Sequence, residues 1–508
     1  MKKNFYITTT LPYINSEPHI GFAREIIEAD VLARFHRGIG DEVFFNTGTD
    51  EHGMKIFQKA EESKIDVQEY CNKLAQTFLD LKGLLNLSFD SFIRTTDEKH
   101  IKAAQDFWKL CEANGDIYKK MYKTRYCVGC ELEKTDSELT SGKCPLHPDK
   151  EIECIEEENY FFKFSAYQQK LLDLYEKNPD FVLPKKKFNE IKSFVEMGLA
   201  DFSISRVKEK MPWGVEVPGD PDHVMYVWFD ALVNYVSALG WPKDEKNFEK
   251  WWPAVQLCGK DNLRQQSAMW QAMLLSAGIE NSKQIFVNGF VTANGQKMSK
   301  SSGNVISPQE MVEKFGVDGT RYLLLSMGGN FGEDTDVSWE KMVEKYNADL
   351  ANGLGNLVSR VIKLSENINF DNLIEEYKAD LRDGIENYVL KSIKLDIDSS
   401  SYDSIAKGYD KNNPSFFGIN PYFDNLQLSH LLAMIWLKIG SYNKYIEENK
   451  PWEIKKTNGD KFKEIMKRMA FSLLFISESI APFLPETSER IKKALETKEP
   501  VILFQRIK

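Results

Sequence analysis

The 508-residue sequence predicts an α/β fold, with a Rossmann-like parallel-sheet domain split by an insert and followed by an all-α region. Three observations support this. Within residues 5–46 a β-rich segment, an amphipathic helix and a second β-rich segment follow one another, which is the order of a β-α-β unit. Cysteines and charged runs then interrupt the pattern between residues 115 and 219, and after residue 345 the apolar spacing becomes helical.

Composition limits the function classes. At 58.6 kDa the chain is too long for one core, so we expect roughly two to four domains. The net charge of −10 argues against a protein that coats nucleic acid through bulk electrostatics, although a local basic face can still bind RNA. No apolar run is long enough to cross a bilayer and the N-terminus lacks the features of a signal peptide, so we expect a cytoplasmic protein without membrane contact.

The first predicted domain covers residues 1–114. Its segment FYITTTLPY predicts a strand, IGFAREIIEADVLARFHRGIG a helix, and DEVFFN a second strand that runs into TGTDEHG. Ligands bind at the carboxyl ends of parallel strands, so residues 10–19 and 47–52 should lie at the ligand edge of the sheet.

The other predicted domain boundaries follow from changes in composition and in the spacing of apolar residues. Residues 115–219 form the insert, residues 220–290 the second half of the parallel-sheet domain, and residues 291–345 a connecting region. Residues 346–508 form the helical domain, which contains a long polar loop at about 398–425.

The stretch PHIGF, residues 18–22, can bind an anion. A histidine and unsatisfied backbone N–H groups at a helix start suit phosphate, and Gly21 allows a ligand to approach the backbone. An ordinary helix start is the alternative. The stretch KMSKS, residues 297–301, carries two lysines that can neutralise charge on a transferring phosphate, unless it is only a lysine-rich surface loop.

Four residues in the insert have the spacing of a zinc site. Cys127 and Cys130 are separated by two residues, as are Cys144 and His147. Four nitrogen and sulfur ligands fill the tetrahedron that zinc prefers and leave no position for water, which predicts one structural Zn²⁺. An odd total of seven cysteines, crowded mid-chain, also favours a metal site over a disulfide framework.

PHIG and KMSKS occur in the order of the two signatures of class I aminoacyl-tRNA synthetases. With TTTLPYINSEPHIG, TGTDEHG and YVWFDALVNYVSAL, the chain resembles the methionyl-tRNA synthetase family, single-zinc-knuckle type, from Phe5 to about Trp452. The resemblance implies activation of L-methionine with ATP and Mg²⁺ and transfer of methionyl to tRNA(Met), including the initiator. It implies a Rossmann-like catalytic domain with a zinc-containing insert, a KMSKS loop and stem-contact region at residues 291–345, and an anticodon-binding helical domain. We expect a monomer.

The resemblance also assigns roles to individual residues. The implied catalytic residues are His19, Lys297 and Lys300, and the implied ATP-binding residues are these three with Gly21, Gly259, Asp261 and Met298. The implied methionine-binding residues are Leu11, Tyr13, Asp50, Trp228, Ala231, Tyr235 and Gln266. The implied anticodon-binding residues, which would hydrogen-bond to or stack on splayed bases, are Asn356, Arg360 and Trp452.

The sequence departs from the family pattern at three positions. Phe22 replaces the second signature histidine, and Asn262 and Gln266 stand where an apolar residue and a histidine are expected. Because alignment and charge neutralisation carry the reaction, we interpret the first signature as a working variant in which Arg24, Gln265 or a water supplies the missing donor.

Three alternatives remain open at this stage. A sister synthetase for leucine, isoleucine, valine or cysteine would share both signatures, but the insert is too short for the large editing domain of the first three. A nucleotidyltransferase that modifies a small acid without tRNA would leave the helical region unexplained. An RNA-binding relic would fit the three departures from the family pattern.

Overall fold

The computed structural model describes residues 3–129, 132–134, 138–298, 304–327, 332–368 and 427–508. In residues 3–113 the elements are β1 (Asn4–Thr8), α1 (Ile20–Gly38), β2 (Glu42–Thr49), α2 (Met54–Ser63), α3 (Val67–Leu79), α4 (Leu81–Leu84), β3 (Ser91–Arg94) and α5 (Glu98–Ala113). They are followed by β4 (Ile117–Cys127), β5 (Leu132–Lys134), β6 (Ile152–Phe162), α6 (Gln168–Lys177), β7 (Val182–Leu183), α7 (Lys185–Glu196), β8 (Phe202–Ser203), β9 (Ser205–Val207), β10 (Glu216–Val217) and β11 (Asp220–Met225).

The chain continues with α8 (Val227–Leu232), α9 (Asn234–Ser237), α10 (Glu245–Trp251), β12 (Val255–Gly259), α11 (Trp270–Ser276), β13 (Gln284–Asn288), β14 (Val291–Ala293) and β15 (Gln296–Lys297). The last elements are α12 (Pro308–Ser326), β16 (Thr335–Val337), α13 (Trp339–Lys345), α14 (Asn356–Leu364), α15 (Leu428–Asn449), α16 (Pro451–Thr457), α17 (Gly459–Ile480) and α18 (Pro485–Thr497). Two π-helical turns, Gln265–Met269 and Tyr346–Gly355, lead into α11 and α14.

A six-stranded sheet in the order β3-β2-β1-β12-β13-β7 forms the centre of the molecule, and all its pairings are parallel. The predicted β-α-β start and parallel sheet are therefore confirmed. The chain leaves β1 towards β2 on one side and later returns to β12 on the other. A crevice opens at the carboxyl ends of the strands where the order reverses in this way, so ligands are expected between β1 and β12.

The edge strand β7 belongs to residues 115–219, the predicted insert, yet it pairs with β13 in the central sheet. The rest of that segment builds one sheet of its own, in the order β5-β4-β6-β8, and shares another, in the order β10-β11-β9, with β11 from the residues that follow it. In the first, β4 and β6 pair antiparallel along their whole length, from Ile117 opposite Phe162 to Cys127 opposite Ile152, and so form a long ribbon.

The described parts of residues 339–508 contain helices and no strand, as predicted for the helical region. Its buried apolar residues continue without interruption into those of β1, β2 and α1, so the two regions share one core. The predicted loop at 398–425 lies outside the described residues. No described helix is long and apolar enough to cross a membrane.

Arg321 on α12 fastens the helical region to the parallel-sheet domain. Its side chain is fully buried and donates 2.7 Å hydrogen bonds to Asp30 on α1 and to the carbonyl of Phe483, which precedes α18. A further bond of 3.1 Å reaches the carbonyl of Leu85. A guanidinium has five donors in a fixed plane, so this one side chain fixes three segments relative to one another.

Candidate active site

The start of α1 carries the first signature. His19 caps the helix, because its Nδ1 accepts a 3.0 Å hydrogen bond from the Gly21 amide. A Cβ added to Gly21 would lie 2.7 Å from the His19 ring, so the glycine lets the imidazole fold over the first turn. No acidic residue lies in this turn. An exposed imidazole beside the positive end of a 19-residue helix is a suitable place for a phosphate.

Phe22, at the second signature position, is half-buried and packs its ring against the ring of Phe78 on α3, at a centroid distance of 5.5 Å and an interplanar angle of 69°. The Phe22 side chain therefore makes apolar contacts and offers no hydrogen-bond donor. Of the residues that could supply the missing donor, Arg24 is already bonded to Glu28 and Thr335 inside the protein. Gln265 is buried, and its Oε1 has no hydrogen-bond partner among the described residues.

The turn after β12 carries the predicted ATP-binding residues Gly259 and Asp261. A Cβ added to Gly259 would lie 2.7 Å from Asp261 Oδ1, so the glycine lets that carboxylate fold back over the strand end. Asp261 is exposed and therefore open to a ligand. Between them, Lys260 is held by Asp334 at 2.6 Å and lies 4.2 Å from the ring centre of Phe290. Gly259 and Asp261 therefore occupy the predicted edge of the sheet.

Glu25 is a buried carboxyl that the sequence analysis missed. It lies on α1 and accepts a 2.8 Å hydrogen bond from the Thr10 amide at the end of β1. Burial raises its pKa to about 8, and the neighbouring charges of Glu28 and Asp261 act in the same direction. A carboxyl with a pKa raised to about 8 thus lies within electrostatic reach of Asp261. The signal that could have revealed it is a pair of acidic residues, Glu25 and Glu28, one turn apart in a helix whose other residues are mostly apolar from Ile20 to Ala33.

The loops after β1 and β2 are joined to each other. The Ile14 amide donates to the Asp50 carbonyl at 3.1 Å, and Tyr13 and Asp50 form an isolated parallel bridge. Gly53 has a φ of +116°, and a Cβ there would lie 2.7 Å from the Tyr13 hydroxyl, so the ring needs a glycine opposite it. Leu11 and Asp50 are both buried. The structure thus brings together the predicted residues from these two loops.

Glu51 holds the loop after β2 in place through buried hydrogen bonds. Its fully buried carboxylate accepts two 2.7 Å bonds from the Arg94 guanidinium and one of 2.6 Å from the Thr96 hydroxyl. Its carbonyl accepts a 2.6 Å bond from the Trp213 indole. The bidentate geometry fixes the backbone beside Asp50, so Glu51 has a positioning role that its place in TGTDEHG did not reveal.

A buried network joins this loop to α8 and α9. Asp230 on α8 contacts His52 Nδ1 at 2.6 Å and His100 Nε2 at 2.8 Å, and His100 Nδ1 contacts the Ser237 hydroxyl at 2.9 Å. Burial by itself would raise the pKa of Asp230, but the two imidazoles outweigh it and lower this pKa to about 2. Asp230 therefore stays ionised and links α8 to the loop that carries Asp50.

The predicted methionine-pocket residues cluster around α8, α9 and the π-helical turn. Ala231 and Tyr235 are buried, and the Tyr235 hydroxyl contacts Gln266 Oε1 at 3.1 Å. Gln266 is 1% exposed, and its Nε2, like Trp228 Nε1, has no hydrogen-bond partner among the described residues. Two buried N–H donors without a protein partner, among aromatic and small apolar side chains, suit an apolar ligand that carries a weak acceptor.

The second signature follows a tight hairpin. Strands β14 and β15 pair antiparallel, and the turn between them has Asn294 and Gly295 at φ of +53° and +73°. Asn-Gly with positive φ at both positions is the preferred two-residue hairpin turn. Lys297 ends β15 and Met298 packs partly buried against the core. Lys300 lies outside the described residues.

The ribbon of β4 and β6 carries the predicted metal ligands. The ligand atoms of Cys127, Cys144 and His147 all lie within 4.8 Å of one another, with Cys127 Sγ and His147 Nδ1 3.9 Å apart. Zinc bonds of about 2.0–2.3 Å place ligand atoms roughly 3.4–3.8 Å apart, so the three residues fit. Gly129 leaves room for the imidazole, since a Cβ there would lie 2.4 Å from the ring. Cys130 lies outside the described residues.

The predicted anticodon residues lie on one surface of the helical region. Asn356 is the first residue of α14 and is exposed. One turn later the Arg360 guanidinium lies 5.8 Å from the ring centre of Trp452 and 3.4 Å from Glu447. Trp452 is 40% exposed, which is unusual for an indole and leaves a face on which a base can stack.

Comparison with known proteins identifies the family. The family model described as tRNA synthetases class I (M) matches residues 5–154 and 147–362. The methionine–tRNA ligase of Thermotoga maritima is 39% identical over 505 residues, which are 97% of this chain and 76% of that protein. The Brucella suis enzyme of the same name is 39% identical over 495 residues, 96% of this chain and 91% of its own length. This chain belongs to the class I (M) tRNA synthetases.

Solved structures of this synthetase family agree with the fold. Mycobacterium tuberculosis methionyl-tRNA synthetase in complex with methionyl-adenylate is 36% identical, with a TM-score of 0.83 over 96% of this chain and 93% of that one. The apo form of the same synthetase has a TM-score of 0.77. The family resemblance predicted from PHIG and KMSKS is confirmed, whereas the roles of single residues stay predictions.

Proposed function

We propose that this chain activates L-methionine with ATP to methionyl-adenylate and then transfers methionyl to the 3′ end of tRNA(Met), including the initiator. The observation that carries the proposal is the likeness, over 96% of the chain, to a synthetase solved with methionyl-adenylate. We expect the enzyme to act as a monomer in the cytoplasm, where protein synthesis uses its product.

In the activation step the methionine carboxylate attacks the α-phosphorus of ATP, and pyrophosphate leaves. No protein nucleophile is needed, so the chain must align the substrates and neutralise charge. The capped start of α1 supports phosphate binding by His19 and Gly21. We assign the departing pyrophosphate to Lys297, Met298 and Lys300. Mg²⁺ bound to the ATP phosphates would supply further charge neutralisation.

The rest of the adenylate has separate contacts. Asp50 is the proposed partner of the substrate ammonium, and the buried bridge to Tyr13 supports a fixed position for it. Asp261 is the proposed ribose partner, over the close backbone at Gly259. Leu11, Trp228, Ala231, Tyr235 and Gln266 are the proposed walls of the side-chain pocket. Sulfur packs well against ring edges, so aromatic walls suit a thioether.

The metal site has a structural role in this proposal. Cys127, Cys144 and His147, with Cys130 as the fourth ligand, would hold one Zn²⁺, and two thiolates with an imidazole fit its preference. A site with four protein ligands has no open position for substrate, so zinc would hold the turns at the end of the ribbon together and take no part in the reaction.

Recognition of tRNA belongs to the helical domain, residues 346–508. The exposed indole of Trp452, stacked near Arg360, supports base stacking, and Asn356 can bond a base edge from the same side. Substituting Trp452→Ala removes only the stacking surface. We expect methionine activation without tRNA to be unchanged and kcat/KM for aminoacylation to fall by about 5–150-fold, since one stack is worth about 1–3 kcal/mol.

The decisive experiment is ATP–pyrophosphate exchange with Mg²⁺, with methionine, leucine, isoleucine, valine and cysteine offered separately. Exchange with methionine alone is expected. Exchange with one of the other four amino acids would assign the chain to a sister synthetase. No exchange with any of the five would favour an RNA-binding relic. Charging of a tRNA(Met) transcript then separates a ligase from a nucleotidyltransferase that needs no tRNA.

A further inference from the structure

The two signatures come from distant parts of the chain. The first opens α1 at His19, and the second follows the β14–β15 hairpin from Lys297 onwards. Positioning is decisive in a reaction of this kind, where a displacement of about 1 Å can cost on the order of a hundredfold in rate. Some contact must therefore hold the hairpin at a fixed distance from α1.

A buried polar network makes this contact. Arg24 on α1 donates through Nε to Glu28 Oε1 at 2.9 Å and through Nη1 to the Thr335 hydroxyl at 3.1 Å. The other Glu28 oxygen accepts a 2.5 Å bond from the Asn288 amide at the end of β13. Four side chains thus join one face of α1 to the end of the central sheet and to β16.

Strand β16 is the support of the hairpin. Thr335 pairs with Val291 on β14, and its amide donates to the Phe290 carbonyl at 2.8 Å. One residue further along, the Asp336 carboxylate accepts a 2.5 Å bond from the Gly295 amide in the hairpin turn. A displacement of Thr335 relative to α1 therefore moves the whole hairpin.

The chain after the second signature is also tied to α1. The amide of Ile20, the first residue of α1, donates to the Ile306 carbonyl at 3.1 Å. Upstream and downstream of the signature, the described chain is thus fixed to the same helix. That backbone bond does not depend on side chains, whereas the polar part of the upstream connection runs through Arg24, beside the apolar packing of Val291 and Val337 in the core shared with α1.

The burial of this network argues for a role beyond stability. The Arg24 and Glu28 side chains are 6% and 5% exposed, and Thr335 and Asn288 are 5% and 4% exposed. Removing a guanidinium and a carboxylate from water is costly, and apolar residues of similar size often give equal or greater stability. What the charged pair supplies in addition is directional bonds of defined length to two other elements.

We propose that Arg24 and Glu28 are positioning residues that set the distance between the start of α1 and the hairpin that leads into the second signature. This inference rests on the proposed function, because its readout is the adenylation step. It assigns Arg24 an internal role, so that Arg24 does not replace the donor that Phe22 lacks.

The test separates geometry from stability. The double variant Arg24→Met with Glu28→Met removes both charges together and leaves no unpaired charge, although the buried Asn288 amide loses its Glu28 acceptor. The variant Thr335→Val keeps the ion pair and removes only its bond to β16. The control is the double variant Lys59→Met with Glu62→Met, which removes an exposed ion pair on α2. Each full-length variant is measured for Tm and for methionine-dependent ATP–pyrophosphate exchange.

Each test variant leaves one buried donor without its acceptor, so a lower Tm is expected in both. Positioning predicts that at a temperature well below these Tm values both variants keep the parental KM for methionine, while kcat for exchange falls by about ten- to a hundredfold. The control should keep all three values. Exchange at the parental kcat in both test variants would overturn the inference, as would losses of kcat that simply follow losses of Tm. No exchange by the parent itself would overturn the proposed function and the inference with it.

Discussion

Gln266 should make the side-chain pocket selective for a thioether over a methylene. Its Oε1 is occupied by the Tyr235 hydroxyl, and its buried Nε2 has no partner among the described residues. The sulfur of methionine is a weak acceptor for that N–H, whereas norleucine, with a methylene in place of sulfur, offers none. The substitution Gln266→Met removes the amide at similar length.

The size of the effect follows from the cost of a buried unpaired donor, about 1–3 kcal/mol. A weak acceptor recovers only part of this cost, so the lower end, about 1 kcal/mol or about fivefold, is the appropriate expectation. The ratio of kcat/KM for methionine to that for norleucine should therefore fall about fivefold in Gln266→Met. Any cost of leaving the Tyr235 hydroxyl unpaired affects both substrates and cancels in the ratio.

The assay is ATP–pyrophosphate exchange with each amino acid over a range of concentrations. Ser267→Ala is the matched control. Ser267 is the next residue along the same π-helical turn and is fully buried, but its side chain has no amide group. Its ratio should equal that of the parent. A ratio in Gln266→Met within twofold of the parent would refute the idea that this N–H faces the substrate sulfur.

Four further outcomes are expected. Phe22→His should raise kcat for exchange only a few-fold if another donor has taken over, whereas a gain of a hundredfold would show that the position was vacant. Arg321→Met should lower the free energy of unfolding by about 3–5 kcal/mol, because it leaves the buried Asp30 carboxylate and several carbonyls without their donor. As a control, Lys59→Met, in an exposed ion pair, should lower it by less than about 1 kcal/mol. The pKa of Asp230 is lowered to about 2, so its ionised carboxylate contributes about 2–3 kcal/mol to the free energy of unfolding at pH values above its unfolded pKa of about 3.9. This contribution is lost as pH falls towards 2, so the difference in unfolding free energy between parent and Asp230→Asn, measured in urea, should narrow over that range. Cys144→Ser should reduce the zinc content measured by elemental analysis well below one ion per chain and lower Tm, and an unchanged zinc content would contradict the assigned ligand set.

The fold was predictable because its signals are local. Strand, helix and strand follow one another at the start of the chain, and parallel pairing of β1 with β2 follows from that order. The participation of β7 in the central sheet was not predictable, because two residues carry too little pattern and their partner β13 lies about 100 residues later. Tertiary pairing, rather than local propensity, placed that strand.

In the candidate site, too, residues in local signatures could be predicted, whereas residues defined by distant partners could not. Residues in short signatures, such as His19, were identified from the residues beside them. The contacts of Glu25 with Thr10, of Arg24 with Thr335 and of Asp230 with His52 were missed, because these partners lie on other elements, 15, 311 and 178 residues away in sequence. Such residues read as ordinary helix positions until their partners are known.

The place of β7 at the edge of the central sheet has a consequence for engineering. Residues 115–219 could not be cut out as a cassette to yield a minimal enzyme, since the excision would strip β13 of its neighbour and leave its N–H and C=O groups along one side unpaired. Such an edge pairs readily with other chains, so the shortened protein would tend to aggregate before its activity could be measured. A workable miniature would have to keep residues 168–196 and shorten only the ribbon that carries the cysteines.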